Sequence, residues 1–112
     1  MRVLLLSILA ACTAACAGDV AGNVTDGAQV FATTCAMCHG SEGKPNEAMV
    51  AQLGVADLTA PAERAKITST FVEHQVRAGS KNKLMPSFAG ALRDDQIRAV
   101  AAYVASPQFP KH

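Results

Sequence analysis

The sequence is poor in aromatic residues: it has no tryptophan, one tyrosine and four phenylalanines among 112 residues. That length predicts a single domain, and a domain of this size buries only roughly two thirds of the surface that its unfolded chain exposes. Large aromatic side chains usually contribute much of such a core. Their scarcity therefore predicts that a large apolar cofactor supplies part of the core.

An excess of charge of one sign is also missing. From about Ala17 onward nine basic residues are balanced by nine acidic ones, because Arg2 is the only one of the ten basic residues that precedes this point. Proteins that bind nucleic acids normally present a basic excess to the phosphates. The composition therefore predicts no nucleic-acid partner.

The longest apolar run is too short to span a bilayer, which takes about 20 apolar residues. This run, VLLLSILAA, follows a positively charged N-terminus and precedes small residues, which is the layout of a secretory signal. We therefore predict a signal over residues 1–16 and export to the periplasm. The cleavage site has alternatives. LAAC and TAAC resemble the lipobox of bacterial lipoproteins and would place a membrane-anchoring lipid on Cys12 or Cys16, whereas cleavage before Gly18 would release a free protein.

The remainder of the chain divides into a short tether and one helical domain. Residues 17–25 (AGDVAGNVT) show no periodicity and predict a flexible tether, and the domain is expected over 26–108. No stretch alternates over enough residues to indicate a strand, so the fold class is all-α. The clearest helix is the last one, in which apolar residues recur at i, i+3, i+4 and i+7: Ile97, Val100, Ala101 and Val104.

Capping residues and glycines place the helix ends. Asp26 predicts the N-cap of the first helix, which should end near Gly40. A later helix is expected to begin at Thr70, which has capping-box spacing to Glu73. Asp94 is expected to cap the C-terminal helix.

The pentapeptide CAMCH places Cys35, Cys38 and His39 within five residues, and three chemistries use such a group. A redox dithiol normally precedes a helix in a βαβ unit, whereas this pair lies at the end of a helix, where the dipole disfavours a thiolate. Structural zinc needs four ligands, and the domain has no second cysteine pair. C-x-x-C-H is the signature of covalent haem attachment.

Covalent haem explains why the three side chains stand together. Haem carries two vinyl groups on neighbouring pyrroles, and thiols three residues apart can each add to one of them. We therefore predict one haem c, attached through Cys35 and Cys38, with the imidazole of His39 on the iron. A structural cysteine pair beside an incidental histidine is the simpler alternative.

The spacing around this motif resembles that of bacterial class I c-type cytochromes with one haem. In that family the first helix carries a glycine, an aromatic residue four positions later and the first haem cysteine four after that, as Gly27, Phe31 and Cys35 do here. The family's C-terminal helix carries an apolar-x-x-aromatic pair, matched by Val100 and Tyr103. The resemblance covers nearly the whole predicted domain. It implies the cytochrome c fold, a small helical bundle wrapped around one haem, in which the first helix crosses the last.

The same resemblance implies the second axial ligand of the iron. The stretch VRAGSKNKLMPSF is similar to the family's ligand loop and assigns that role to Met85, rather than to Met49 or His74. A methionine opposite the proximal histidine raises the reduction potential. The family often also has a proline whose carbonyl oxygen holds the ring of the proximal histidine. Pro45 is the nearby candidate for that contact with His39, although its spacing is shorter than in some members.

Electron transfer, and not catalysis, is the function that this resemblance implies, with transient redox partners and a monomeric protein. Arg77, Lys81 and Lys83 cluster before Met85. They either steer an acidic partner or form an ordinary solvated loop. Two rival functions stay open: a c-haem protein with an open iron site that binds a gas or acts like a peroxidase, and a haem-free metal-binding or dithiol module.

Overall fold

The computed structural model describes residues 20–110, and within them the regular structure is helical. The predicted signal, both candidate lipid sites and the first part of the predicted tether lie outside these residues. The all-α prediction is confirmed. The elements are α1 (Gly27–Val30), a π-helical segment (Phe31–Cys35), α2 (Ala36–His39), α3 (Glu47–Leu53), α4 (Pro61–Arg64), α5 (Ser69–Ala78) and α6 (Asp94–Ala105). None of the helices in this part of the chain has the length and apolar character needed to cross a membrane.

Helix α1, the π-helical segment and α2 follow one another without a break and form the first helical unit, residues 27–39. This unit begins and ends where the sequence predicts. The side chain of Asp26 accepts a hydrogen bond from the backbone N–H of Gln29 at 3.1 Å, which satisfies one of the unpaired donors at the helix start. The unit ends at Gly40, whose φ of 80° is accessible to glycine at little cost. This ending brings the cysteines and the histidine onto the last turns of one continuous helical unit.

The crossing of this unit with α6 depends on Gly27. A Cβ atom at this position would lie 2.8 Å from the carbonyl carbon of Ala99 and 2.9 Å from the Cβ of Tyr103. Glycine therefore allows a backbone approach that any side chain would prevent. Phe31, one turn later, is 1% exposed and meets Tyr103 edge to face at a centroid distance of 5.9 Å. The expected crossing of the first and last helices is confirmed, with Gly27 facing Ala99 and Tyr103 of α6.

The capping residues of α5 and α6 differ from the predictions. Helix α5 begins one residue before Thr70, because the hydroxyl of Thr68 accepts from the N–H of Phe71 at 3.1 Å. Asp94 is the first residue inside α6, and the N-cap is Arg93, whose N–H donates to the side-chain oxygen of Gln96 at 3.0 Å. Both expected caps are therefore wrong. At α5 a neighbouring threonine with the same chemistry caps the helix, and at α6 the side chain of Gln96 pairs with the backbone of Arg93 and shifts the start by one residue.

Residues 20–24 lie against the domain, whereas the sequence indicated a flexible tether there. The side-chain amide of Gln96 donates to the carbonyl oxygens of Gly22 at 2.9 Å and Val24 at 2.7 Å. Arg93 donates to the same Gly22 oxygen at 3.0 Å, and Ala21 is buried. This segment is therefore fixed on the start of α6.

Replacing Gln96 with alanine should lower the free energy of unfolding by about 2–4 kcal/mol, because its fully buried side chain makes three hydrogen bonds. Their loss removes the side-chain partner of the Val24 carbonyl and of the Arg93 N–H. Chemical unfolding followed by circular dichroism measures the loss. Gln52→Ala, on an exposed position of α3, is the matched control and should change stability by less than about 0.5 kcal/mol. Equal losses in both variants would contradict the role given to Gln96.

Candidate cofactor site

A cavity of about 290 Å³ lies between the end of the first helical unit, α5, α6 and the loop before α6. Its walls are mainly apolar. The buried or partly buried apolar side chains in these walls include Phe31, Leu58, Val72, Val76, Phe88 and Val100. Apolar walls exclude water and lower the local dielectric constant, which favours a large apolar ligand over a small polar one.

The cavity is lined by Cys35, Cys38, His39 and Met85 together, so the structure brings all four predicted site residues to one place. Burial, and secondly the neighbouring Cys38, raise the pKa of the Cys35 thiol to about 12. A redox dithiol needs a thiolate as its nucleophile. The protonated, apolar setting of Cys35 therefore disfavours the dithiol alternative.

The imidazole of His39 is held by a backbone carbonyl that the sequence did not indicate. Its Nδ1 lies 3.1 Å from the carbonyl oxygen of Ala56, so Nδ1–H donates and Nε2 is left with a free lone pair. Burial lowers the pKa of this imidazole, although the Ala56 contact opposes the shift, and the neutral ring is favoured. The expectation for Pro45 is corrected: Ala56, 17 residues after His39, supplies the carbonyl.

Met85 reaches the same cavity from the loop that follows α5. Gly79 allows this approach, because a Cβ atom there would lie 2.6 Å from the carbonyl oxygen of Met85 and 2.8 Å from the carbonyl carbon of Pro86. The φ of Gly79 is also positive, at 73°. Met37, Met49 and His74 do not line the cavity. Met37 is 82% exposed between the two cysteines.

Some cavity residues have no signal in the sequence. Phe71 and Leu84 line the cavity and yet are 46% and 49% exposed. Exposed side chains of this size are the expected appearance of an apolar contact surface for a ligand. Ser80 and Asn82 also line it, from the loop that carries Met85.

The predicted basic cluster is reduced to two lysines. Arg77 donates to Glu73 at 3.0 Å and to Asp94 at 2.7 Å, and these two hydrogen bonds, that to Asp94 foremost, raise the pKa of its guanidinium. Arg77 therefore joins α5 to the start of α6. Lys81 and Lys83 are exposed on the loop.

The residues of the cavity fit a haem group. Two thiols three residues apart, a neutral imidazole with a free nitrogen and a methionine thioether face a space with apolar walls. A planar apolar ligand in this space would cover Phe71 and Leu84. Within residues 20–110, no group of three or more histidine, cysteine, aspartate or glutamate side chains could hold a metal ion by itself.

Comparisons with known proteins relate the chain to cytochromes. The family described as cytochrome c oxidase, cbb3-type, subunit III, matches residues 22–104. Cytochrome c6 of Picosynechococcus sp. is 35% identical over 103 residues, which cover 89% of this chain and 86% of that protein. The cbb3-type cytochrome c oxidase subunit FixP of Rhizobium meliloti is 37% identical over 86 residues, which cover 74% of this chain and 27% of that longer subunit.

A solved structure supports the same fold. The KustC0563 c-type cytochrome superposes with a TM-score of 0.63 over 71% of this chain and 94% of that chain, at 24% sequence identity. The cytochrome c fold that the sequence predicts is therefore confirmed.

Proposed function

The chain belongs to the c-type cytochrome family, and from this we propose that it transfers single electrons by means of one haem c. The family implies covalently bound haem c. The observation that carries the proposal is that Cys35, Cys38, His39 and Met85 line one apolar cavity. These are the side chains that attachment and two axial ligands require.

Each of the four residues has a separate role in the proposal. Cys35 and Cys38 would hold the group covalently, each thiol adding to one of its two vinyl groups. His39 binds the iron through Nε2, because its Nδ1–H is held by the Ala56 carbonyl. That hydrogen bond also makes the imidazole a better donor to the metal.

Met85 would supply the second protein ligand to the iron through its thioether, and the loop that carries it is hydrogen-bonded to the end of α5. When bound, haem supplies an iron that alternates between the ferric and ferrous states, and the protein tunes it through ligands and surroundings. Ligands fixed in advance by packing need little rearrangement when the charge of the iron changes. The apolar cavity walls would limit the access of water to the bound group.

The setting of the protein follows from the relatives and the N-terminal sequence. Relatives include cytochromes c6 and a subunit of a cbb3-type oxidase, and we propose that this chain likewise exchanges electrons with other redox proteins. It does so as a monomer in the periplasm, in transient encounters. Lys81 and Lys83 are exposed on the loop that carries Met85, where such partners can contact them. A lipid on Cys12 or Cys16 would keep the domain near a membrane.

Replacing Met85 with alanine tests the proposal directly. The ferric wild-type protein should show the weak far-red absorption band of a methionine sulfur bound to haem iron, and the variant should lose it completely. The reduction potential should also fall, since methionine ligation raises it. Met49→Ala removes a thioether that does not line the cavity and should keep the band.

A different result would support an open iron site. If the ferric wild type lacks the far-red band and the ferrous wild type binds carbon monoxide readily, Met85 does not ligate the iron. The gas-binding or peroxidase-like alternative would then replace electron transfer.

A further inference from the structure

Ser80 holds both backbone polar groups of Met85. The N–H of Ser80 donates to the carbonyl oxygen of Met85 at 2.9 Å. In return, the N–H of Met85 donates to the hydroxyl oxygen of Ser80 at 3.0 Å. A serine side chain at this point therefore closes the loop that presents Met85 to the cavity.

Asn82 completes this contact. The Ser80 hydroxyl donates to the side-chain oxygen of Asn82 at 2.6 Å, and the same oxygen accepts from the N–H of Leu84 at 3.1 Å. The same hydroxyl also lies 3.5 Å from the carbonyl oxygen of Met85. Lys83, between Asn82 and Leu84, has a φ of 65°, which is uncommon for a residue with a side chain. The loop is held in an unfavourable turn by these side-chain hydrogen bonds.

The part of the loop that follows Met85 is attached separately. The hydroxyl of Ser87 donates to the carbonyl oxygen of Arg77 at 2.5 Å. The N–H of Phe88 donates to the carbonyl oxygen of Val76 at 2.9 Å. Opening of the Ser80 contacts would therefore release Met85 while the C-terminal half of the loop stays on α5.

We propose that Ser80, supported by Asn82, is a positioning residue that keeps the side chain of Met85 at the haem iron and limits access of outside ligands to it. This inference rests on the proposed function, because it requires Met85 as the axial ligand. Ser80 touches neither the iron nor a substrate in this role. It acts through the backbone of Met85, and it also lines the cavity.

The affinity of the ferric protein for added imidazole measures this role. Imidazole binds the iron only when Met85 has left it, so its apparent affinity is proportional to the population of the open loop. Removing the Ser80 hydroxyl removes hydrogen bonds from the closed loop alone. The loss of one hydrogen bond of ordinary net strength should favour the open loop. The apparent affinity of Ser80→Ala for imidazole should therefore rise about three- to tenfold.

Four further variants separate positioning from general destabilisation. Asn82→Ala should raise the imidazole affinity about two- to threefold, since its hydrogen bonds are exposed. The double variant should show less than the product of the two effects, because the residues act as a unit. Ser80→Thr keeps a hydroxyl and should stay near the wild type. Ser106→Ala removes a hydroxyl that accepts the N–H of Gln108 away from the cavity, and should leave the affinity unchanged.

Hydrogen exchange of the ferrous, diamagnetic protein gives a second readout. The Met85 amide should exchange faster in Ser80→Ala than in the wild type, while the Phe88 amide keeps its protection. An unchanged imidazole affinity in Ser80→Ala and Asn82→Ala, or an equal rise in Ser106→Ala, would overturn the inference. A ferric wild type without the far-red band would instead overturn the proposed function itself.

Discussion

Replacing both Cys35 and Cys38 with serine should abolish covalent haem attachment. A hydroxyl does not form the thioether with a vinyl group, so no haem should stay with the chain after denaturation and electrophoresis, whereas the wild type should retain it. The protein should also lose most of its folded structure. By the volume dependence seen in core substitutions, an unfilled cavity costs several kcal/mol, roughly comparable with the total stability of a small domain.

Two further measurements make this prediction specific to the thiols. Met37→Ala changes the residue between the cysteines, which is 82% exposed, and should keep full haem attachment. Each single Cys→Ser variant should retain haem through one thioether, with altered absorption. Haem retention in the double variant would refute thioether attachment. If the wild-type protein carries no haem even after maturation in a host with a haem-attachment system, the dithiol or metal-binding alternative would replace electron transfer.

Replacing Phe31 with alanine should lower the free energy of unfolding by about 3–5 kcal/mol, the usual cost of removing a fully buried aromatic ring. Phe31 is 1% exposed and belongs to a cluster of three aromatic rings with Tyr103 and Phe109. Its ring meets Tyr103 at 5.9 Å and Phe109 at 5.4 Å, both edge to face. These contacts join the first helical unit to α6 and to the C-terminal segment, so the loss is distributed over the whole domain. Denaturant unfolding of the haem-containing protein measures it.

The graded variant Phe31→Leu keeps most of the apolar volume and should cost less than about 1.5 kcal/mol. Phe71→Ala removes a phenylalanine ring that lies outside the cluster of Phe31, Tyr103 and Phe109 and does not join the first and last helices. It should therefore cost less than Phe31→Ala. If Phe31→Ala were as mild as Phe31→Leu, the aromatic cluster would not be the main contact between the first and last helices.

Local patterns in the sequence were sufficient for the fold class and for the composition of the candidate site. The apolar spacing of α6 predicted its buried face, because a helix repeats every 3.6 residues wherever it packs. The crossing of Gly27 and Phe31 with α6 was predicted from the family resemblance, and it agrees with the small size of glycine and the large apolar ring of phenylalanine. Cys35, Cys38, His39 and Met85 were chosen by spacing and resemblance, and their roles stay predictions that the experiments above test.

The tertiary structure alone decided how these residues are held. The partner of His39 is the carbonyl oxygen of Ala56, and every residue has such a carbonyl, so no side-chain pattern could distinguish it from that of Pro45. Arg77 belongs to a pair of salt bridges instead of a basic patch, because Asp94 is brought to it from a distant part of the chain. Gln96 fixes residues 20–24 through backbone acceptors more than 70 positions away. Long-range hydrogen bonds to the backbone depend on the folded path of the chain, whereas helix periodicity and motif spacing are already present in its sequence.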